Sequence, residues 1–336
     1  SGGDPKNGLT QAERLITNDK VVSIMGAYQS SVTYPSTQVA EKYEIPYIVP
    51  SSYKPEITER GFKYTFRIAA KGSWFSRDQI RLIGDLAKEG GTTINTVGFV
   101  YENGDAGKNF AKNWKIEAEK AGLKVVLDEA YPDTLTDFSP VVLKMKSSKA
   151  DAFLLCSNAS DAILLSKTIA EMKCYAKVFV ATATGHADPA FLKNLGKNAE
   201  YLFDLSEWEA DSGKASVKEA NEKFKKKTGH ELSAEAVDSY VGMYVLANAL
   251  EKAGSLDPKK IREALAATKI TTGPAMIVPY EAFEFDQDGQ NKFAGLVAVQ
   301  IRDVKGTLER VTIWPKAAAR SGWKPVVPFP KWEERK

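Results

Sequence analysis

Short apolar runs rich in β-branched residues alternate with segments of helical periodicity through the middle of this chain. Between residues 96 and 205 the pattern predicts strands at Thr96–Tyr101, Lys124–Glu129, Asp151–Cys156, Val178–Ala181 and Tyr201–Leu205. The segments between them place apolar residues three and four positions apart, as helices do. Strands that alternate with helices form a parallel sheet covered on both faces. The sequence therefore predicts an α/β protein with a doubly wound parallel sheet.

The stretch from residue 21 to 58 repeats this pattern and ends two strands in serine-rich loops. Val21–Met25 and Tyr47–Val49 are predicted strands, and the helix between them opens at Ser30 or Ser31, either of which can be its N-cap. Pro35 is expected in the first turn, where a missing N–H loses no helical bond. Open α/β sheets bind ligands at the carboxyl edge, and a helix N-terminus there suits a carboxylate. The alternative, that the serines are only caps and turn formers, stays open.

The length of the chain indicates two domains. At about 100–200 residues per domain, 336 residues make two, and 43% apolar residues suffice for packed cores. We expect lobe I to comprise residues 1–93 and 207–292, and lobe II residues 94–206 and 293–336. Three helices, the third with Asp257 as N-cap, and strands at Phe283–Phe285, Leu296–Arg302 and Leu308–Ile313 complete the lobes. Three crossings between lobes form a hinge suited to closure around a ligand.

The sequence lacks the signatures of catalysis, metals and nucleotides. His186 and His230 have no partner at metal-ligand spacing, and neither a nucleophile elbow nor a dinucleotide fingerprint occurs. We expect no enzyme activity, no cofactor and no metal; His186 is a minor candidate for ligand contact and His230 is expected in solvent. The net charge of +3 gives no footprint for nucleic acid, and no apolar run is long enough to span a membrane.

The two cysteines are expected to be unpaired. Cys156 ends a predicted strand, whereas Cys174 precedes the next parallel strand, so the two lie near opposite edges of the sheet. A disulfide needs Cα atoms within about 7 Å of each other. The cysteines therefore do not indicate whether the protein works in an oxidising or a reducing compartment.

Polar and aromatic residues collect in the loops at the carboxyl edges of both predicted sheets. These loops hold the candidate ligand-binding residues. In lobe I they are Tyr28, Ser30, Ser31, Ser51, Ser52 and Tyr53. In lobe II they are Asp105, Asn158, Ser160 and Thr184, with Glu207 and Trp208 at the second crossing.

Several stretches together resemble one family of binding proteins. They are GAYQSSVTYPSTQVAEKYEIPYIVPSSYKPEITERGFKYTFR, YENGDAGKNF, AYPDTLTDFSPVVLKMK, AEAVDSYVGMYVLANALEKAGSLDPKKIREAL, FDQDGQN and TIWPKAAA. In order and spacing they are similar to periplasmic solute-binding proteins of the branched-chain amino-acid (Leu/Ile/Val) ABC-uptake type. The resemblance covers nearly the whole chain. It implies the type I periplasmic-binding-protein fold, a small-molecule ligand held by hinge closure, a membrane permease as partner, and a monomer that is periplasmic or lipoprotein-anchored outside the cell.

The resemblance also assigns roles to individual residues. Ser30 matches the family serine that binds the ligand carboxylate, and Ser51 a position whose backbone contacts the amino-acid head group. Tyr53 stands where amino-acid binders often have Thr, which puts an ordinary α-amino acid in doubt. The family's second-lobe Tyr and Glu align near Ser160 and Thr184, so those roles are not kept. Glu207 is either a replacement partner for an ammonium group or an exposed residue.

The sequence is compatible with two other interpretations. A ligand-sensing domain of a receptor or regulator has the same two lobes, and an α/β enzyme has similar sheets. In the resembled family a strand–helix–strand segment precedes the equivalent of Ser1. No signal peptide and no such segment open this sequence. We therefore expect the N-terminal βαβ unit, with a central strand of lobe I, to be missing.

Overall fold

The chain folds into two compact units, and the coordinates are a computed structural model. The structure describes residues 1–132, 134–182, 184–229 and 231–335, without the side chains of Asp105, Thr184 and Pro189. Unit 1 contains Ser1–Gly72 and Glu207–Gly295, and unit 2 contains Ser73–Ser206 and Leu296–Lys336. The chain therefore passes from one unit to the other three times.

The first predicted boundary, after residue 93, is wrong. Helix α3 (Gly72–Glu89) belongs to unit 2 from Ser73 onward. Its Gln79 accepts a 2.6 Å hydrogen bond from the indole of Trp114 and donates one of 3.3 Å to the carbonyl oxygen of Ala181. These bonds tie α3 to the sheet of unit 2. The second boundary follows Ser206 in both divisions, whereas the third lies after Gly295 rather than after residue 292.

Unit 1 contains, within its described residues, a three-stranded parallel sheet in the order β1-β2-β3. Its elements are α1 Pro5–Thr17, β1 Ile24–Met25, α2 Ser30–Lys42, β2 Tyr47–Val49, β3 Thr65–Arg67, α9 Ala215–Thr228, α10 Ala234–Ala253 and α11 Pro258–Ala266. The apolar face of α10, with Val237, Val241 and Val245, packs on Ile48 and Phe66 of the sheet. Helix α11 starts as predicted, with Asp257 as N-cap and Pro258 in the first turn.

Unit 2 contains, within its described residues, a seven-stranded sheet in the order β10-β9-β8-β7-β6-β4-β5. Besides α3 its elements are β4 Thr96–Glu102, α4 Asp105–Lys120, β5 Lys124–Tyr131, α5 Ser139–Ser148, β6 Ala152–Cys156, α6 Ala159–Glu171, β7 Val178–Thr182, α7 Thr184–Ala187, α8 Pro189–Leu195, β8 Phe203–Ser206, β9 Val297–Val304 and β10 Thr307–Trp314. Strands β4 to β8 pair in parallel, and β9 and β10 add antiparallel strands at one edge.

The pattern of alternating strands and helices thus placed most elements correctly. The predicted strand Phe283–Phe285 is wrong, because Phe283 and Phe285 form only isolated bridges, to Ile270 and Asn291.

Cys156 and Cys174 are buried free thiols, and burial raises the pKa of each to about 12. Among the described helices, none combines the length and hydropathy that a membrane crossing requires.

Candidate functional site

The turn between β1 and α2 is held from below by the hydroxyl of Ser52. Gly26, which follows β1, has φ of +150°, a region that favours glycine. The fully buried Ser52 Oγ lies 2.8 Å from the carbonyl oxygen of Ala27 and 2.9 Å from that of Tyr28, and shares its proton between them. Thr33 Oγ1 lies 2.6 Å from Ser52 Oγ. Ser52 was predicted to bind ligand, but its hydroxyl is engaged inside the protein and positions the turn instead.

Helix α2 begins beside this turn, at the predicted place but with a different cap. The N-cap is Gln29, whose backbone is extended, and Ser30 and Ser31 are the first two helical residues. Pro35 accordingly lies in the second turn rather than the first. Ser30 Oγ accepts a 3.2 Å hydrogen bond from the backbone N–H of Lys54, which joins α2 to the loop after β2. Ser31 is exposed, and so is Tyr28, at 60%.

The loop after β2 is anchored by Arg67, a residue that the sequence analysis missed. Its fully buried guanidinium donates to the carbonyl oxygens of Ser52 (3.0 Å) and Lys54 (2.7 Å), and to Thr58 Oγ1 (2.8 Å). Its Nε donates to Gln290 Oε1 at 2.6 Å. Burial lowers the pKa of Arg67 to about 10, so the group stays charged at neutral pH. Arg67 therefore fixes the backbone that carries Ser51 to Lys54.

A second loop, which carries Gly289 and Gln290, lies against β3 and completes this anchor. Gly289 has φ of +75°, and a Cβ at this position would come within 1.9 Å of the carbonyl oxygen of Thr65. The absence of a side chain at Gly289 lets the loop lie against β3, where Gln290 forms a parallel bridge with Arg67. The amide of Asn291 donates to the carbonyl oxygen of Ile68 at 3.1 Å.

Tyr53 and Glu207 meet at the same sheet edge. The Tyr53 hydroxyl donates to Glu207 Oε2 at 2.5 Å, which links the loop after β2 to the segment that re-enters unit 1. Burial raises the pKa of Glu207 to about 7; Glu235 adds to the rise and the Tyr53 hydroxyl opposes it. Glu207 therefore keeps its proton to a higher pH than an ordinary glutamate does. The alternative that Glu207 is simply exposed does not fit this carboxyl group, whose Oε1 atom is buried.

Trp208, the neighbouring candidate, is a core residue. Its side chain is only 5% exposed and packs in the apolar cluster of unit 1 with Val237 and Phe283. The indole N–H donates to the carbonyl oxygen of Ile277 at 2.7 Å. The prediction that Trp208 binds ligand is therefore replaced by a structural role, since a buried indole needs its single donor satisfied.

A second buried carboxyl group, Asp238, was missed by the sequence analysis. It lies in the second turn of α10 beside Ser51, whose hydroxyl stabilises its charged form. Burial, followed by the charge of Glu207, nevertheless raises the pKa of Asp238 well above its ordinary value. A signal was available: Asp238 follows Val237 within a helix whose other apolar-face residues are Val241 and Val245. A carboxylate within an apolar stripe is rarely left without a partner.

A pocket of about 160 Å³ opens at this edge of unit 1. Gly26, Ala27 and Tyr28 from the first turn line one part of it, and Ser51 follows from the loop after β2. Glu235 and Ser239 of α10 also line it. The structure therefore brings the candidates Tyr28 and Ser51 to one pocket, together with α10, which the sequence analysis had not connected with them.

The candidates in unit 2 gather around the ends of β4, β6 and β7. Asp105 opens α4, where the Glu102 carboxylate accepts from the N–H groups of Gly104 and Gly107. Asn158 is the exposed N-cap of α6, and Ser160 is exposed in its first turn, 3.2 Å from Asp161 Oδ1. Thr184 opens α7, next to Gly185, where a Cβ would come within 2.5 Å of the carbonyl oxygen of Asn158. Asn158 and Thr184 are thus placed at one sheet edge.

His186 is buried rather than open to ligand. Its ring lies 4.9 Å from that of Phe191, and burial, with the nearby Arg310, lowers its pKa to about 3. Neither ring nitrogen has a hydrogen-bond partner among the described residues. The other histidine, His230, lies outside the described residues. Within the described part of the chain, no three His, Cys, Asp or Glu side chains form a group that could hold a metal ion.

Comparison with known proteins identifies relatives over nearly the full chain. The Leu/Ile/Val-binding protein homolog 7 of Brucella suis biovar 1 is 28% identical over 330 residues, which are 95% of this chain and 80% of the relative. An ABC transporter substrate-binding protein from Sphaerobacter thermophilus has a similar fold, with a TM-score of 0.78, 20% identity, and coverage of 98% of this chain and 86% of that one. These matches confirm the predicted type I periplasmic-binding-protein fold.

A third comparison concerns a structure with a bound acid. It is a solute-binding protein of an ABC transporter from Rhodopseudomonas palustris BisB5, in complex with 3,4-dihydroxybenzoic acid. Its TM-score is 0.70, with 23% identity and coverage of 95% of this chain and 85% of that one.

The family model described as periplasmic binding protein matches residues 1–304. The resemblance stated from the sequence is thereby confirmed. The family consists of binding proteins rather than enzymes, and its name places its members outside the cytoplasm. On this match, the chain belongs to the periplasmic binding protein family.

Proposed function

We propose that this chain is the solute-binding component of an ABC importer and that it captures a small molecule bearing a carboxylate. An amino acid and an organic or aromatic acid both fit this description. The observation that carries the proposal is the convergence of the α2 N-terminus, Ser30 and Ser51 at the carboxyl edge of the unit 1 sheet, next to a pocket. The names of the relatives support it, since one names Leu/Ile/Val and another holds 3,4-dihydroxybenzoic acid.

The carboxylate has a defined place in this proposal. The first N–H groups of a helix have no intrahelical acceptor, and the helix dipole favours negative charge beside them. Ser30 and Ser31 supply such N–H groups and two hydroxyls on the first turn of α2. Hydrogen bonds to a charged group contribute about 1.5–3 kcal/mol each, so a few of them fix the head group.

Capture proceeds by hinge closure in this proposal. The chain crosses between the units three times, and short connecting segments are the usual place where closing motions are absorbed. A ligand shifts an open–closed equilibrium only by its difference in affinity for the two states. We expect a monomer that presents the ligand-loaded form to a membrane permease and releases the ligand unchanged.

A binding screen tests the proposal. We expect a carboxylate ligand to raise the melting temperature in a thermal-shift screen of amino acids, aromatic acids and other small acids. Ser30→Ala is expected to weaken binding of that ligand by about 1–3 kcal/mol in calorimetry, because the charged group of the ligand loses a hydrogen-bond donor. Ser216→Ala is the matched control, since Ser216 is an exposed serine in the first turn of α9.

Three results would contradict the proposal. The first is that no acid of any class binds the folded protein. The second is that Ser30→Ala and Ser216→Ala bind the carboxylate ligand equally well, which would place the head group elsewhere. The third is chemical conversion of the ligand, detected in NMR spectra of the ligand that are recorded during incubation. Such conversion would identify an enzyme.

A further inference from the structure

A pocket of about 320 Å³ opens on unit 1 beside strand β3, and we call it the β3 pocket. Three separate stretches of the chain contribute to its lining, which includes Phe62, Lys63, Phe66, Arg262, Phe285 and Gly289. It shares no lining residue with the pocket of about 160 Å³ at the carboxyl edge. Small-molecule sites in proteins usually have roughly 300–1,000 Å³, so the β3 pocket is large enough for a ligand of its own.

The aromatic part of the β3 pocket is rigid. Phe66 and Phe285 are only 2% and 6% exposed, belong to the apolar core of unit 1, and meet edge to face with ring centroids 5.1 Å apart. The ring of Phe62 has the Arg60 guanidinium 4.2 Å from its centroid, and Arg60 in turn donates to the carbonyl oxygen of Tyr34 at 3.0 Å. These rings therefore form a fixed apolar surface on which a flat ring can pack.

Two cationic side chains stand beside these rings. Arg262 of α11 uses its Nε–H for the carbonyl oxygen of Lys63, at 3.3 Å. Its terminal nitrogens, and Nζ of Lys63, have no hydrogen-bond or ion-pair partner among the described residues. A guanidinium group with free terminal N–H groups matches the two oxygens of a carboxylate.

The carboxylates near these cations are engaged elsewhere. Asp286 lines the β3 pocket, but its Oδ1 accepts two backbone N–H groups of its own turn at 2.9 and 3.0 Å, and its charge acts on the buried Arg67. Glu41 accepts the backbone N–H groups of Lys63 and Tyr64 at 2.8 and 2.9 Å. The side-chain charges of Lys63 and Arg262 are therefore left for an anion from solution.

We propose that the β3 pocket is a second ligand site of this protein and that it takes a small aromatic carboxylate. The ring of the ligand packs on Phe62 and on the exposed edges of Phe66 and Phe285. Its carboxylate binds the terminal nitrogens of Arg262, with Lys63 adding positive charge. An anion without a ring gains no apolar burial here, and a neutral ring leaves both cations unpaired.

This site is separate from the one in the proposed function. Phe62 and Lys63 belong to the segment that enters β3, which begins at Thr65, whereas the carboxyl-edge pocket is lined from the loops that leave β1 and β2. Because the two pockets have no residue in common, we expect their ligands to bind together and not to compete.

Calorimetry with three matched probes tests the ligand class. The probes are phenylacetate, its neutral analogue phenylacetamide, and acetate, which has the charge without the ring. We expect phenylacetate to bind, and the other two to bind at least about tenfold more weakly, since each lacks one of the two interactions.

Variants of α11 test the location. Arg262→Gln removes the guanidinium group, and Ala266→Trp fills the pocket from an exposed position in its lining. Each should weaken phenylacetate binding at least about tenfold. The controls are Lys260→Gln and Ala267→Trp, which change exposed residues of the same segment outside the pocket lining and should leave the affinity unchanged. Ser30→Ala should also leave this site unchanged, because Ser30 lies at the carboxyl edge of the sheet.

The contrary results are distinct. Phenylacetate binding that is weakened by Ser30→Ala but not by Arg262→Gln or Ala266→Trp overturns the second site and supports the proposed function. Acetate or phenylacetamide binding as tightly as phenylacetate overturns the ligand class. No binding of phenylacetate to the folded wild type overturns the second site, whereas the proposed function is decided by its own screen of acids. If Ala266→Trp shows no melting transition, Arg262→Gln decides alone.

Discussion

The hydroxyl of Tyr53 donates a 2.5 Å hydrogen bond to Glu207 Oε2 across 154 positions of sequence. This bond joins the loop that carries the candidate head-group residues to the segment that re-enters unit 1. It also opposes the rise in the pKa of Glu207 that burial causes, because a hydrogen bond to the charged form of a carboxyl group favours that form.

Tyr53→Phe removes this donor and leaves the ring in place. We expect the variant to lose about 1–3 kcal/mol of unfolding free energy, since a buried carboxylate oxygen is left without its partner. The pKa of Glu207 should also rise above its value of about 7. Chemical denaturation measures the first effect, and NMR titration of a ¹³C-labelled Glu207 measures the second. Tyr175→Phe, at an exposed tyrosine of unit 2, is the control for removal of a hydroxyl. A pKa that falls or stays constant in Tyr53→Phe would show that the bond does not act on Glu207.

The ligand-free protein should lose stability as the pH rises through the range set by Glu207. Its pKa is about 7 in the folded state and near 4.5 when unperturbed. Between these values the native state holds more protons than the unfolded state, so the free energy of unfolding falls with increasing pH. The contribution is on the order of 2–3 kcal/mol between pH 4.5 and pH 7.5.

Glu207→Gln removes this titration. The variant should therefore be less sensitive to pH over the same range, and more stable than the wild type near pH 7.5. Urea denaturation at a series of pH values measures the difference. Glu222→Gln should follow the wild-type curve, because this glutamate is exposed on α9. Parallel curves for Glu207→Gln and wild type would contradict a buried, proton-holding Glu207.

Arg67→Lys tests the anchor beneath the binding loop. Lysine keeps the charge but loses the planar fork that reaches the carbonyl oxygens of Ser52 and Lys54 together with Gln290. We expect a loss of about 3 kcal/mol or more, because several buried acceptors lose their donors. Thermal and urea unfolding measure it. Arg14→Lys, at a solvent-exposed position of α1, should change stability by no more than about 0.5 kcal/mol. Equal losses of stability in the two variants would show that Arg67 does not anchor the loop.

Ser52→Ala and Ser30→Ala should separate a positioning serine from a ligand-binding one. Ser52 Oγ holds the carbonyl oxygens of Ala27 and Tyr28, so its removal should cost about 1–3 kcal/mol of stability. Ser30→Ala should instead weaken ligand binding and change the free energy of unfolding by less than about 1 kcal/mol. Unfolding curves and calorimetry on both variants give the comparison. A stability loss confined to Ser30→Ala would reverse the two assignments.

The sequence was sufficient for the elements whose patterns are local. Tyr47–Val49 was placed at its observed bounds, because an apolar β-branched run between prolines leaves little choice. The start of α11 was equally clear from Asp257 and Pro258. Ser30 lost the expected N-cap position to Gln29, since the last extended residue is set by how the turn after Gly26 closes, not by side-chain preference alone.

The site was harder to predict where tertiary contacts decide the role of a side chain. Ser51 and Ser52 are adjacent and chemically identical, yet one lines the pocket and the other points into the turn. Glu207 and Asp238 lie on separate elements, so only the folded unit brings their charges together. Trp208 was placed among the candidate ligand contacts because it lies at the second crossing between the lobes, whereas its indole N–H donates to the carbonyl oxygen of Ile277 in the core.

The bond from Arg67 to Gln290 has a consequence for how the protein is made. Unit 1 uses residues from both sides of a 134-residue insertion, Ser73–Ser206, and its anchor is incomplete until Gln290 has been synthesised. Unit 2 likewise needs Leu296 and the residues after it for the last strands of its sheet. Neither half can therefore finish folding on the ribosome before most of the polypeptide has emerged, and the nascent chain keeps unfinished cores exposed until then.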